Sequence, residues 1–321
     1  MNYKLLLGAM ALLMFAMCES SSSSNNNNTT TPPADTTAID DEVTGEVVDT
    51  PVVAGYTLVW ADNFVGDALD MENWNIEVNG DGGGNSELQY YRSQNVSVGT
   101  EPASGKNCLI LTARQEDYQG KKATSGRINS RDKQVFTHGR VEASIWLPRT
   151  ANGLWPAFWM MGNDYASKGW PACGEIDILE MGHKTGITAK TQDRYFNGAC
   201  HWGPSWNNGA YPNYAKASTY QYSLQDTFHL YTLLWDEQSI KMYVDLDKYP
   251  EVAPYYEMGI ADASDDNAPG KYFHKDFFIL FNLAVGGNFP QIWDINNITA
   301  LANGEAKMYV DYVRVFQKSN P

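Results

Sequence analysis

The chain has 321 residues, 13% of them aromatic and 19% charged, with 10 Trp and 19 Tyr and a formal net charge of -15. Acidity of this size repels other polyanions, which excludes nucleic acid and weighs against anionic polysaccharides as partners. Aromatic excess with moderate charge suits an all-β protein better than a helical one.

The first residues read as targeting. Lys4 supplies a positive start, Leu5 to Met17 an apolar run, and Cys18 ends it. An apolar run of about 13 residues is too short for a stop-transfer helix. Cys18, preceded by Phe15-Ala16-Met17 and followed by Glu19 and a Ser/Asn run, resembles a bacterial lipoprotein signal with a loose lipobox. Acylated Cys18 would be the mature N-terminus and the membrane anchor, placing the chain in the cell envelope, on the outer membrane and facing outward. The competing reading is an ordinary signal peptide cleaved near Cys18. Residues 19–54 are low-complexity, with runs of Ser, Asn and Thr and scattered Pro, Asp and Glu. Lacking apolar residues for a core, they are expected to form a disordered tether. The expected organisation is signal 1–18, tether 19–54 and one folded domain over 55–318, within the range of a single β-sandwich.

Along that domain, strand-like alternation recurs. In Arg140 to Leu147 the residues Val141, Ala143, Ile145 and Leu147 share one face. Phe228 to Trp235, Ile240 to Val244, Phe277 to Leu283 and Met308 to Phe316 are rich in aromatic and branched residues, with turn residues between them. No long segment carries a helical period. These signals predict an antiparallel β-sandwich.

One strand stands apart. Glu175-Ile176-Asp177-Ile178-Leu179-Glu180 sets three carboxylates among branched aliphatics. Burying like charges together is costly unless they act together. Glu175 and Asp177 share a face, but Glu180, five residues from Glu175, falls on the other. One extra residue in a β-bulge would return it to the first face. The two glutamates would then stand roughly 13 Å apart along the backbone. Side chains leaning together could reduce that to the roughly 5 Å that separates nucleophile and acid/base in a retaining glycosidase. The bland reading is a solvated acidic face, since an E-x-D pattern arises often by chance. The neighbours favour the catalytic one. Trp155, Trp159 and Trp170 all precede the acids closely, and flat sugar faces stack on aromatic rings. Each Trp alone is as well explained by core packing; with the acids, a sugar cleft is the better account.

Taken with Leu58-Val59-Trp60-Ala61-Asp62-Asn63-Phe64, Gly84 to Tyr91, His201-Trp202, Asn282 to Gly287 and Val310 to Val315, these motifs resemble glycoside hydrolase family 16, in its laminarinase-like endo-β-1,3(4)-glucanase branch. The bulged E-x-D-x-x-E form is similar to that of laminarinases and agarases. Two departures are Asn63, where the family usually has an acid, and Ala199-Cys200 ahead of His201, where a Thr-containing pair is commoner.

The resemblance implies a β-jelly-roll of two curved antiparallel sheets with a concave glycan-binding cleft. It implies hydrolysis of β-1,3 or mixed β-1,3/1,4-glucan, with Glu175 as nucleophile, Glu180 as acid/base and Asp177 between them. Trp155, Trp159 and Trp170 would frame the subsites, with His201 pointing into the cleft and Asn282 near its floor. Asn85, Glu87 and Arg127 would bind hydroxyls on the non-reducing side, although Glu87 and Arg127 could equally pair with each other. No cofactor is expected for catalysis. A structural calcium ion is expected on the convex face, with Asp311 and Asp62 as the places to look. A monomer is expected, meeting β-glucan in its cleft and the membrane through its lipid. Two alternatives stay open, an agarase-like galactan hydrolase and a non-catalytic glycan-binding lipoprotein. Cys173 and Cys200 could form a disulfide or remain thiols, and Cys108 reads as a small core residue.

Overall fold

The structure, a computed structural model, describes residues 52–207 and 209–319. The signal, Cys18 and the tether up to residue 51 lie outside the described residues. What is described is a β-jelly-roll of two sheets.

The ten-stranded sheet runs Tyr256–Gly259, Ser239–Val244, Phe228–Trp235, Gly139–Trp146, Glu305–Lys318, Asn107–Arg114, Ala123–Ser125, Gln89–Tyr91. Tyr56–Asp62 pairs with Glu305–Lys318, and Val96–Thr100 with Asn107–Arg114. The eight-stranded sheet runs Asn213–Thr219, Tyr195–His201, Glu175–Met181, Leu154–Gly162, Phe277–Val285, Arg127–Asn129, Asn75–Ile76, with Val135–Phe136 also on Phe277–Val285. Every ladder between these strands is antiparallel except Gln89–Tyr91 with Ala123–Ser125, which is parallel. Helix is confined to short turns such as Tyr165–Lys168 and Lys184–Ala189, and no described helix is long and apolar enough to cross a membrane.

Alternation explains the layers. Val141, Ala143 and Ile145 turn into the space between the sheets, with Tyr231, Leu233 and Trp235 from the neighbouring strand. Leu154–Gly162 and Phe277–Val285 are buried along their whole length. Their inward residues, Phe158, Met160, Ile279 and Phe281 among them, join the sandwich core, where Phe158 and Phe281 stack at 4.8 Å. Their outward residues Ala157, Trp159, Met161, Phe278 and Leu280 form a second apolar cluster with Cys173. This second layer is the floor on which the polar residues of the site stand. A central strand apolar on both faces needs such a cover, because exposed backbone and side chains there would otherwise meet water.

Candidate active site

The acids lie on Glu175–Met181, between Leu154–Gly162 and Tyr195–His201. Its register shows the bulge directly. Asp177 faces Ala199 and Glu180 faces Asn197, so three steps on one strand oppose two on the other. On the other flank Leu179 faces Phe158 while Asp177 faces Trp159, which leaves Ile178 as the extra residue. Ile176, Ile178, Leu179 and Met181 are in the sandwich core, and the three carboxylates share the outward face. An apolar side chain at the bulge holds the kink, since turning it outward would expose it.

Each glutamate accepts from an indole. Trp170 Nε1 donates to Glu175 Oε2 at 3.0 Å, and Trp155 Nε1 to Glu180 Oε1 at 3.0 Å. Trp159 Nε1 donates to Asn282 Oδ1 at 2.7 Å, and the Arg127 guanidinium lies 4.9 Å from the Trp159 ring. His201 stands across from Glu175, its Nε2 3.2 Å from Asp177 Oδ2 and its Nδ1 3.1 Å from the Tyr211 hydroxyl. A ring nitrogen facing a carboxylate carries the proton, so in the neutral ring Nδ1 accepts from Tyr211.

Burial drives the electrostatics. It pushes Glu175 up to about 8, with the neighbouring Asp177 charge adding to the shift; His201, Trp170 and Arg127 act the other way. Burial likewise pushes Asp177 up to about 8 and holds Glu180 well above the usual carboxylate range, Asp177 reinforcing the latter. The three titrate as a set. Such a set can hold a proton on one carboxyl and an anion on another at the same pH, which is what general acid and nucleophile chemistry requires.

The model of the glycosyl hydrolases family 16 matches residues 87–262, which include every one of these acids and indoles. The chain belongs to glycosyl hydrolases family 16. It is 33% identical to glucan endo-1,3-beta-glucosidase A1 of Niallia circulans over 84% of this chain, although it spans only 39% of that relative's length. It is 32% identical to a beta-glucanase of Rhodothermus marinus, over 82% of this chain and 85% of the relative. Among solved structures, the Bacteroides ovatus mixed linkage glucan GH16 in complex with the product G4G4G3G is 42% identical, with a TM-score of 0.70. The match covers 80% of this chain and all of that one.

Around this family 16 site, Glu87, Arg127 and Asn85 are held by contacts within the protein. Glu87 is buried, 5% exposed, and its Oε2 accepts from Gln89 Nε2 at 2.5 Å and the Tyr91 hydroxyl at 3.1 Å. Gln89 in turn accepts from the Val285 amide. Glu87 Oε2 therefore braces the end of the central strand through Gln89. Nor is it paired with Arg127, whose ion pair is with Glu77 at 3.1 Å. Asn85 sits half-buried in the adjoining turn, its carbonyl accepting from the Asn288 amide.

Asp62 and Asp311 do not fit a calcium ion. Asp62 Oδ1 accepts from the Phe64 amide at 2.8 Å and its Oδ2 from Trp74 Nε1 at 2.7 Å. The Lys106 ammonium pairs with Asp311. Asn107 Nδ2 reaches the carbonyls of both Phe64 and Gly66, at 2.8 and 2.7 Å. Both Asp62 oxygens, Asp311 Oδ2 and the two carbonyls thus already accept from N–H donors, and the Lys106 ammonium supplies the positive charge that a cation would bring.

Cys173 and Cys200 are free thiols, as is Cys108. Cys173 lies in the outward cluster and Cys200 in the sandwich core, so the sheet itself separates them.

Two site residues escape a reading of the sequence. Tyr211 belongs to a loop without a pattern, yet it bonds His201 and meets Trp170 edge-on at 4.6 Å. Asn197 pairs across the strands with Glu180 and shares its face, and its Oδ1 is buried without a partner among the described residues. The only signal for Asn197 was its register, which requires the bulge to be known.

Proposed function

We propose that this chain is a retaining, endo-acting β-glucanase that cleaves β-1,3 or mixed β-1,3/1,4 linkages. The observation that carries this reading is the Ile178 bulge, which sets Glu175 and Glu180 on one face, each with an indole donor. The names of its relatives, an endo-1,3-beta-glucosidase and a beta-glucanase, support the substrate class. So does the mixed linkage glucan product bound in the Bacteroides ovatus structure.

In the first step the Glu175 carboxylate attacks the anomeric carbon as the bond to the departing oxygen breaks. The Glu180 carboxyl gives that oxygen its proton, leaving a glycosyl ester on Glu175. Glu180, now a carboxylate, takes a proton from water as the water oxygen attacks the same carbon. The ester bond breaks, Glu175 leaves as carboxylate, and configuration at the carbon is retained. Asp177 orients Glu175 and, together with burial, keeps the proton on Glu180 between turnovers. His201, held by Tyr211, fixes Asp177. No cofactor takes part in these steps.

The test is product analysis on laminarin, barley mixed-linkage glucan and agarose, with Glu175→Gln as control. Short oligosaccharides from a glucan that vanish in the variant are expected, with oligosaccharide binding retained and a rate loss of about a thousandfold. Release from agarose alone would move the chain to galactans, a choice that its net charge of -15 disfavours for sulfated forms. Binding without cleavage of any polymer would make it a glycan-binding lipoprotein, although all three carboxylates are present.

We also infer that Cys18 is acylated and holds the domain at the outer membrane through residues 19–54. Labelled fatty acid should enter the wild-type chain and be lost in Cys18→Ala; equal labelling, or none in either, would remove the anchor.

A further inference from the structure

The cavity at the Glu180 end of the sandwich, of about 660 Å³, is not used by the reaction described above. It is lined by Trp293 and the carboxamides of Asn152, Gln291, Asn296 and Asn297, with Asp294 its one charged group. Trp293 is 56% exposed, while its neighbours Ile292 and Ile295 pack against the sandwich core. The segment thus turns its aliphatic side chains inward and its indole outward. A single exposed apolar side chain is ordinary, as Trp206 at 58% also shows; Trp293 is set apart by the ring of carboxamides around it.

The ring is held in place. Trp293 Nε1 donates to Asn288 Oδ1 at 3.2 Å, and Lys184 Nζ donates to Gln291 Oε1 at 2.5 Å. The carboxamides of Asn152 and Asn297 make no hydrogen bond to the described residues and are open to a ligand. Contacts lead from here to the acids. Asn288 precedes Phe289, Phe289 stacks on Trp155 at 4.6 Å and 10°, and Trp155 holds Glu180.

A flat exposed ring beside neutral donors and acceptors is chemistry for a sugar, whose apolar face stacks while its hydroxyls both give and take hydrogen bonds. The one charged side chain in the lining is Asp294, and Lys184 beside it is already engaged by Gln291, which disfavours a phosphate or a carboxylate ligand. We propose that Trp293 and the carboxamides around it bind a further glucosyl residue of the β-glucan chain, beyond the Glu175–Glu180 centre. This rests on the reading of the chain as a glucanase and adds a second contact with the polymer. A chain held there as well as at the acids leaves more slowly between cuts.

Affinity electrophoresis of the full chain in gels containing laminarin or barley mixed-linkage glucan tests it. Glu175→Gln blocks cleavage and serves as the reference, and wild-type hydrolysis of the same polymers is measured alongside. Adding Trp293→Ala should weaken polymer retention about two- to tenfold, the worth of one stacking contact. Trp293→Phe should restore part of it, and Asn297→Ala should give a smaller loss. A wild-type chain that cleaves glucan while retention is unchanged by Trp293→Ala overturns this site and leaves the glucanase reading intact. A chain that neither cleaves nor is retained overturns both.

Discussion

At the scale of single residues the site is a set of charges held where they are least comfortable. Glu175, raised from its ordinary value near 4.5 to about 8 by burial and by Asp177, keeps in the folded state a proton that the unfolded chain releases. The folded state therefore binds more protons over that interval, and stability falls as pH rises through it. Replacing the acid by its neutral amide removes the penalty. Glu175→Gln should melt at the same temperature as wild type near pH 4 and about 2–4 °C higher near pH 8, as expected for about 1 kcal/mol in a chain of this size. Thermal scans at the two pH values decide it; a gap that closes as pH rises would mean Glu175 is ionised without strain. Tyr211 acts one contact further out. Tyr211→Phe removes the donor to His201 Nδ1, freeing the ring to adopt the other tautomer. With a bond of that kind worth about 0.5–1.5 kcal/mol, kcat should fall about two- to tenfold with KM unchanged. A shifted pH profile should accompany the fall, because Asp177 loses its fixed partner; an unaltered profile would reduce Tyr211 to packing.

At the scale of elements, one extra residue decides where an acid points. Without Ile178 the strand would return to regular period, and Glu180 would turn into the core beside Phe158 and Phe281. Deleting Ile178 should abolish hydrolysis and lower the melting temperature sharply, whereas Ile178→Val, which keeps the bulge, should retain activity at a cost of about 0.5–1.5 kcal/mol. Activity in the deletion variant would show that Glu180 is not the acid. The bulge was legible in the sequence because three acids made sense only on one face. The surroundings were partly legible. Trp155, Trp159 and Trp170 could be picked out as ring-bearing neighbours, yet their indole nitrogens have different partners, two on the glutamates Glu180 and Glu175 and one on Asn282. Such assignments depend on which strand lies alongside, and residue spacing does not contain that.

At the scale of the molecule, the first and last strands are joined, Tyr56 facing Lys318, and the region near Asp62 and Asp311 closes that seam. Lys106 and Asn107 supply it with an ammonium and an amide where a cation would otherwise be needed. Chelation with EDTA should leave the melting temperature unchanged, and added calcium should not raise it; a fall on chelation would mean that a metal displaces these donors. The closed seam leaves the opposite face to carry the chemistry.

What the sequence determined by itself is the class of fold, the family and the strand on which the three acids lie. Period-two alternation and the cost of burying like charges are local properties, readable from neighbours along the chain. What the tertiary structure decided is pairing across the chain: that Glu87 braces Gln89 and Tyr91, that Arg127 answers Glu77, that Cys173 and Cys200 face opposite sides of one sheet, and that Tyr211 reaches His201. Each of these depends on which distant segments meet, and a side chain's partner is set by that meeting rather than by its own chemistry.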